Sequence, residues 1–463
     1  MDRRRFLSHS CSLGVALPTL ASSTLALGLS RQAAAQAMPQ DYKALVCILL
    51  AGGNDSYNML VPADSSAYAA YAGIRSDLAL PISELLPLAP PTGAGQQLGV
   101  HPGMASLQQL VNNGDASMIA NIGTLLEPFD PAAVSNGTAR LPVGLFSHAD
   151  QISQWQTAIP DGRGSQGWAG RIADRMLSTN PGNGISMNIS LSGTNTFQSG
   201  AQTREYSIDS NGSGATGLNG YGVDNGFGRF RTDSVDALLA ISRESLLKRE
   251  YARRFRSALD AQVVFAEAMQ SATPLTTEFS PNPLSAALRQ IARVISVRDL
   301  LGATRQTFFV TIGGWDHHDE VLDNQARMLP IVADALAQFR DALQELAVWD
   351  AVTTFTISDF GRTLTSNGRG SDHGWGGHHI VMGGAINGGE IFGHYPEISM
   401  NSPLDVGRGI YAPTTPTDTY FADLALWLGV PRADLDQVLP QVRRFYTPED
   451  GGAALGIFPA AAL

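Results

Sequence analysis

QTFFVTIGGWDHHDE, at positions 306–320, decides the fold. A β-prone run ends in Gly313-Gly314 and delivers Asp316 and His318 just beyond. AVTTFTI at 351–357 behaves the same way, ending in SDFGRT with Asp359, and ALVCILLAGG at 44–53 runs into GGNDSYN with Asp55. Apolar runs this continuous read as parallel strands buried on both faces, and the polar residues mark their carboxyl ends, where ligands gather in such sheets. SMIANIGTL at 117–125 and ISMNISLSG at 185–193 read as further strands, as do residues 379–384 and a hairpin-like NGGEIFG at 387–393. Helical periodicity covers 104–113, 234–269, 284–301, 321–347, 420–428 and 433–442. The expected fold is α/β: a doubly wound, mostly parallel sheet with helices on both faces. From Thr194 to Asp233 the chain turns polar around SNGSGATGLNGYGVDNGFGRF, which reads as a surface excursion or lid.

The first residues read as an address. MDRRRFL sets Arg3 and Arg4 before Phe6 and Leu7, the layout of a twin-arginine export signal. A short, weakly apolar run from Leu13 to Leu29 follows, then A-x-A cleavage sites after Ala35 or Ala37. Residues 1–37 are therefore expected to be a signal peptide handled by the twin-arginine translocase, and 38–463 a single domain without a transmembrane helix. The expected destination is the periplasm or the outside of the cell. Without residues 1–37 the 31 basic and 42 acidic residues become 27 and 41, a net charge of about −14 that argues against nucleic acid as a partner. Only Cys47 remains after cleavage, so no intrachain disulfide is available. An apolar content of 44% supports a sizeable core.

Five of the nine histidines fall in GGWDHHDE and SDHGWGGHH. Residues two apart in an extended segment project to one side, so Asp316 and His318 can converge on one ion while His317 points elsewhere. The second loop adds Asp372, His373, His378 and His379. Neighbours His378 and His379 face opposite ways at a strand start, so both cannot reach the ion. Imidazole-rich ligands favour zinc or manganese over calcium. Asp55 is a further carboxylate, or an Asx-turn residue. Arg362 reads either as a bidentate clamp for an anionic substrate or as a structural partner of Asp359. LFSHADQISQW sets Ser147 before a helix from about His148 to Thr157: a nucleophile in the positive potential of a helix start, or a plain N-cap. Ser56 is a second candidate nucleophile.

GGNDSYNMLVP, HPGM, SHADQ, GGWDHHDE, SDFGRT, DHGWGGHH and NGGEIFG, in that order after the twin-arginine start, resemble the domain-of-unknown-function 1501 family over nearly the whole mature chain. That family looks like a branch of the alkaline phosphatase and sulfatase superfamily. The resemblance implies a metal-supported site at the strand ends of an alkaline-phosphatase-like sheet. Asp316, His318 and either His373 or His378 would form one metal position; Asp55 and Asp359 would form another beside Ser147 as nucleophile. The superfamily's second-site Asp-His pair stands here as Asp359-Phe360, and the Asp-to-His spacing in GGWDHHDE is shorter than usual. Both departures favour one metal over two. The implied activity is hydrolysis of a phosphate or sulfate ester on a small molecule or polymer. The alternative is an envelope assembly or binding protein that keeps the fold. A metal-free serine esterase using Ser56 ranks last.

Overall fold

The computed structural model describes residues 41–89, 96–178, 180, 184–241, 244–399 and 401–463. The export signal expected at 1–37 lies outside them. In the main sheet the strands are, in chain order, β1 Lys43–Ala51, β2 Ala116–Gly123, β3 Asn188–Ser190, β4 Tyr206–Ser207, β5 Arg305–Gly313, β6 Val352–Ser358, β7 Gly377–Gly383, β8 Ile391–Gly393 and β9 Thr415–Pro416. They lie side by side as β8-β2-β7-β6-β1-β5-β3-β4, with β9 also against β2. β1 pairs in parallel with β5 and β6, whereas β7 runs antiparallel to both β6 and β2. The sheet is thus mostly parallel, with β7 reversed.

The side-chain period of a strand explains why this sheet needs cover on both faces. Along β1, Ala44, Val46, Ile48 and Leu50 enter one core, and Leu45, Cys47 and Leu49 enter another. Among the described residues, the helices of eight or more residues are α1 Ser65–Arg75, α2 Ala105–Asn112, α3 His148–Thr157, α4 Trp168–Arg175, α5 Gly226–Ala240, α6 Leu246–Gln270, α7 Pro283–Ser296, α8 Val321–Glu345 and α9 Thr417–Leu428. Helices α2, α7 and α8 close the first core, through residues such as Leu107, Leu288, Leu336 and Phe339. Trp155 of α3, Trp168 of α4 and nearly all of α9 close the second. Residues Tyr42–Leu463 form one compact unit.

Several expected elements differ in extent. The helix read over 234–269 begins earlier, at Gly226, and is broken. The chain leaves helical geometry at Ile241 (φ −60°, ψ 122°) and re-enters after Ser245, so two helices replace one. Side-chain periodicity continues across such a break, and only backbone geometry reveals it. The Gly-rich excursion accordingly contains β4 and the first turns of α5. The helix expected to reach Leu301 stops at Ser296, and that over 433–442 shrinks to Leu435–Val438. NGGEIFG forms no hairpin: its last three residues are β8, parallel to β2.

The strand ends are level. Ala51 is in register with Gly313, and Leu50 with Ser358, so the loops carrying Asp55, Asp316 and Asp359 leave the sheet at one edge. Because β7 is reversed, the loop leading into it arrives at that same edge. Residues Arg362–Ser366 and Ser371–His373 form a small antiparallel pair there, with Arg362 opposite His373. Gly52 is required at this edge: its φ is +123°, and a Cβ would stand 2.5 Å from the Asp316 nitrogen. Gly53 has φ +81°, and a Cβ there would strike the ring of Phe360 at 2.4 Å.

Candidate metal centre

Asp316 leaves β5 after Gly314 and is about half exposed at the edge of the sheet. Its Oδ1 lies 3.1 Å from His318 Nε2 and 3.4 Å from His373 Nε2, and its Oδ2 lies 3.6 Å from His148 Nε2. The Nε2 atoms of His318 and His373 are 2.9 Å apart. Around a tetrahedral ion with ligand bonds near 2.1 Å, ligand atoms stand about 3.4 Å apart, so these separations suit a single small cation. One ligand atom from each of His148, Asp316 and His373 falls within 4.8 Å of the others.

The outer ring nitrogens each face an acceptor. His373 Nδ1 is 2.8 Å from the carbonyl oxygen of Phe146, which can only accept. His318 Nδ1 faces Asp372 Oδ1 at 3.1 Å, and His148 Nδ1 faces Asp359 Oδ2 at 2.6 Å. Each Nδ1 is thus turned outward to an acceptor, and each Nε2 faces the Asp316 carboxylate. A cation held among His148, Asp316 and His373 would draw their nitrogens and carboxylate together. These residues fit a divalent metal ion.

The carboxylates divide by role. Burial pulls Asp316 upward, but the Arg362 guanidinium and the nearby His318 and His148 hold its pKa below the ordinary value. Asp359 is buried and its pKa is raised by burial, against the Gly52 N–H at 2.9 Å and His148. Asp372 is lowered, first by its hydrogen bond from Asn367, despite some burial, and further by His318 and Arg408. Asp359 and Asp372 thus face the outer nitrogens of imidazoles that point at Asp316. Asp55 is engaged elsewhere: it is fully buried, paired with Arg75 at 2.8 Å, and accepts from Ser371 Oγ at 2.7 Å.

Arg362 takes neither of the two roles read from sequence. It is fully buried; its Nη1 bonds Asp316 Oδ1 at 2.9 Å and the Gly52 carbonyl at 3.1 Å, while Nε and Nη2 donate to the Ser371 carbonyl. Its partner is Asp316, not Asp359. His378 is fully buried away from the cluster, accepts the Asn121 N–H on Nδ1 at 3.0 Å, and stacks on Tyr395. Burial lowers its pKa to about 3, and that of His379 to about 3 as well. Ser56 is buried and accepts the His378 N–H at 2.8 Å. Ser147 caps α3 and accepts the Asp150 N–H at 3.4 Å. It sits between Phe146 and His148, both of which touch the cluster. Phe146 has φ 73°, a costly conformation for an aromatic residue, and its carbonyl is the one that orients His373.

His148 is the ligand candidate that sequence reading passed over as an ordinary first residue of a helix. It meets Asp359 at 2.6 Å from a position 211 residues away in sequence. Phe360 has a packing role: its ring lies 4.6 Å from that of His373 and 4.9 Å from that of His148. The adjacency of His148 to the singled-out Ser147 was the available signal.

Among solved structures, the chain resembles Ps i-CgsB with 11% identity and TM-score 0.34, covering 88% of this chain and 78% of that one. It also resembles the lipoteichoic acid synthase LtaP from Listeria monocytogenes (8% identity, TM-score 0.30, 80% and 76% covered). For PsFucS1 sulfatase from Pseudoalteromonas sp. the values are 10%, 0.30, 88% and 74%. Likenesses at these scores carry no weight for fold or function. No curated protein matches the chain. The family model for DUF1501, a protein of unknown function, matches residues 42–408, and the chain belongs to that family.

Proposed function

We propose that this protein is an exported, metal-dependent hydrolase of phosphate or sulfate esters, delivered by the twin-arginine translocase to the periplasm or beyond. The observation that carries the metal is the convergence of His148, His318 and His373 on Asp316, each ring anchored from behind by an acceptor. These four residues would hold one divalent ion, zinc or manganese, which when bound supplies Lewis-acid polarisation of an ester oxygen. Arg362 orients Asp316 and offsets its charge from within the protein. Ser147, at the N-terminus of α3, stands in positive potential that favours an incoming anion and an attacking oxygen. The anion-holding role read for Arg362 passes to exposed guanidinium groups at the rim, Arg408 first, since it already pairs with Asp372 at 2.5 Å.

Elemental analysis of the purified protein, with turnover of p-nitrophenyl phosphate and sulfate, tests this reading. About one divalent ion per chain is expected, with turnover lost in both His148→Ala and Ser147→Ala while only His148→Ala loses metal. A chain with no bound ion and no turnover on either ester would end the proposal. The second reading is a non-catalytic metal-binding or envelope assembly protein. It is favoured by Asp55, whose burial against Arg75 removes a ligand of the second position, and by the Ser147 hydroxyl being used as a cap. It expects bound metal, no turnover, and no effect of Ser147→Ala beyond stability.

A further inference from the structure

We propose that helices α5 and α6 form a docking surface for an anionic lipid bilayer. Large apolar side chains cluster on them in the open: Phe227 is 67% exposed, Phe230 69%, Leu238 58% and Leu247 81%, with Ile241, Leu246 and Tyr251 also exposed. The spacing 227, 230, 238 places three of these within an arc of ~80° on one side of α5, and Ile241 follows at its C-cap. Single exposed leucines are ordinary, but a stripe of this kind on neighbouring helices is not.

Charge selects the occupant. Residues 226–256 carry eight Lys and Arg against four Asp and Glu, whereas the whole chain carries 31 against 42. The stripe is therefore edged by positive charge in a protein that is otherwise acidic. Lys248, Arg253 and Arg254 are exposed beside Leu247 and Tyr251, and Arg231 stacks on Phe227 at 4.8 Å. Phe, Leu and Tyr on a basic helix face are what an interfacial helix sinks into the headgroup boundary of an anionic membrane. The acidic remainder is repelled by the same surface, which orients the molecule with this arm inward. A second copy would bring a like-charged arm against this one. No helix among the described residues is long and apolar enough to cross a membrane, so the attachment is peripheral.

Amide hydrogen exchange of the full chain tests this, with phosphatidylglycerol–phosphatidylcholine vesicles, with phosphatidylcholine vesicles, and with none. Peptides from 226–256 are expected to slow about fivefold or more with the anionic vesicles only, and to lose this protection in about 0.5 M salt. Phe227→Ser with Phe230→Ser and Leu247→Ser, all at exposed positions, should abolish the protection and leave exchange elsewhere unchanged. Unchanged exchange over 226–256 with anionic vesicles would overturn the proposal. So would protection that is independent of lipid and grows with protein concentration, which would assign the stripe to a second copy of the chain.

Discussion

His148 and Asp359 meet at 2.6 Å, and that pair decides which way one imidazole of the cluster faces. Asp359→Asn keeps the volume but replaces a charged acceptor with an amide, so metal affinity is expected to fall roughly 10- to 100-fold. Competition with a chelating dye measures it, and an unchanged affinity would remove Asp359 from the centre. The buried histidines outside the cluster make a different prediction. With a pKa of about 3 when folded and an ordinary imidazole value when unfolded, His378 takes up a proton on unfolding between about pH 4 and 6. The unfolded state binds more protons there, so this residue makes stability rise with pH in that window and fall toward acid. His378→Asn, whose Oδ1 can still accept the Asn121 N–H, should flatten the slope by about 1.4 kcal/mol per pH unit. Urea titrations at pH 4, 5 and 6 read that slope, and parallel curves for both proteins would refute it.

At the scale of elements, α3 joins the second core to the site. Trp155 and Gln154 are buried at its far turns, whereas its start carries Ser147 and His148 at the edge of the sheet. Packing of the tryptophan thus fixes where the first turn points. Ser147→Ala removes the N-cap and is expected to cost about 1 kcal/mol whatever the chemistry. The distinguishing readout is turnover at a temperature where the variant remains folded: a nucleophile loses nearly all activity, and a cap loses almost none. β7 matters at this scale as well, because its reversed direction brings the Ser371–His373 strand and the turn after it to the carboxyl edge of the parallel strands. The apolar run Ile380–Met382 marks a strand over 379–384 but carries no information about its direction, which is set by pairing with Phe355 and Ile119 far along the chain.

For the molecule as a whole, the buried ion pair of Asp55 and Arg75 ties the end of β1 to α1, and Ser371 joins it to the loop carrying Asp372 and His373. Breaking one partner leaves an uncompensated charge in the interior. Asp55→Asn should therefore destabilise the fold by ~3–5 kcal/mol, measured as a lower urea midpoint at unchanged slope. An Asp55 that served as an exposed ligand would show a loss of metal with little change in midpoint. Three strands legible as continuous apolar runs each end in an aspartate, and in sequence Asp55, Asp316 and Asp359 look equivalent. The strands and the pair Asp316 and His318 were readable because each rests on local periodicity or short spacing. The level ends of the strands and the choice between His373 and His378 rest instead on long-range pairing. The division of labour among the aspartates was not readable either. Asp55 faces Arg75, Asp359 faces His148, and Asp316 faces Arg362 together with three imidazole nitrogens. A carboxylate becomes a ligand, an orienting acceptor or a structural ion according to which charge packs against it. That choice is made across hundreds of residues by the closing of the sheet, and so only the tertiary structure decided it.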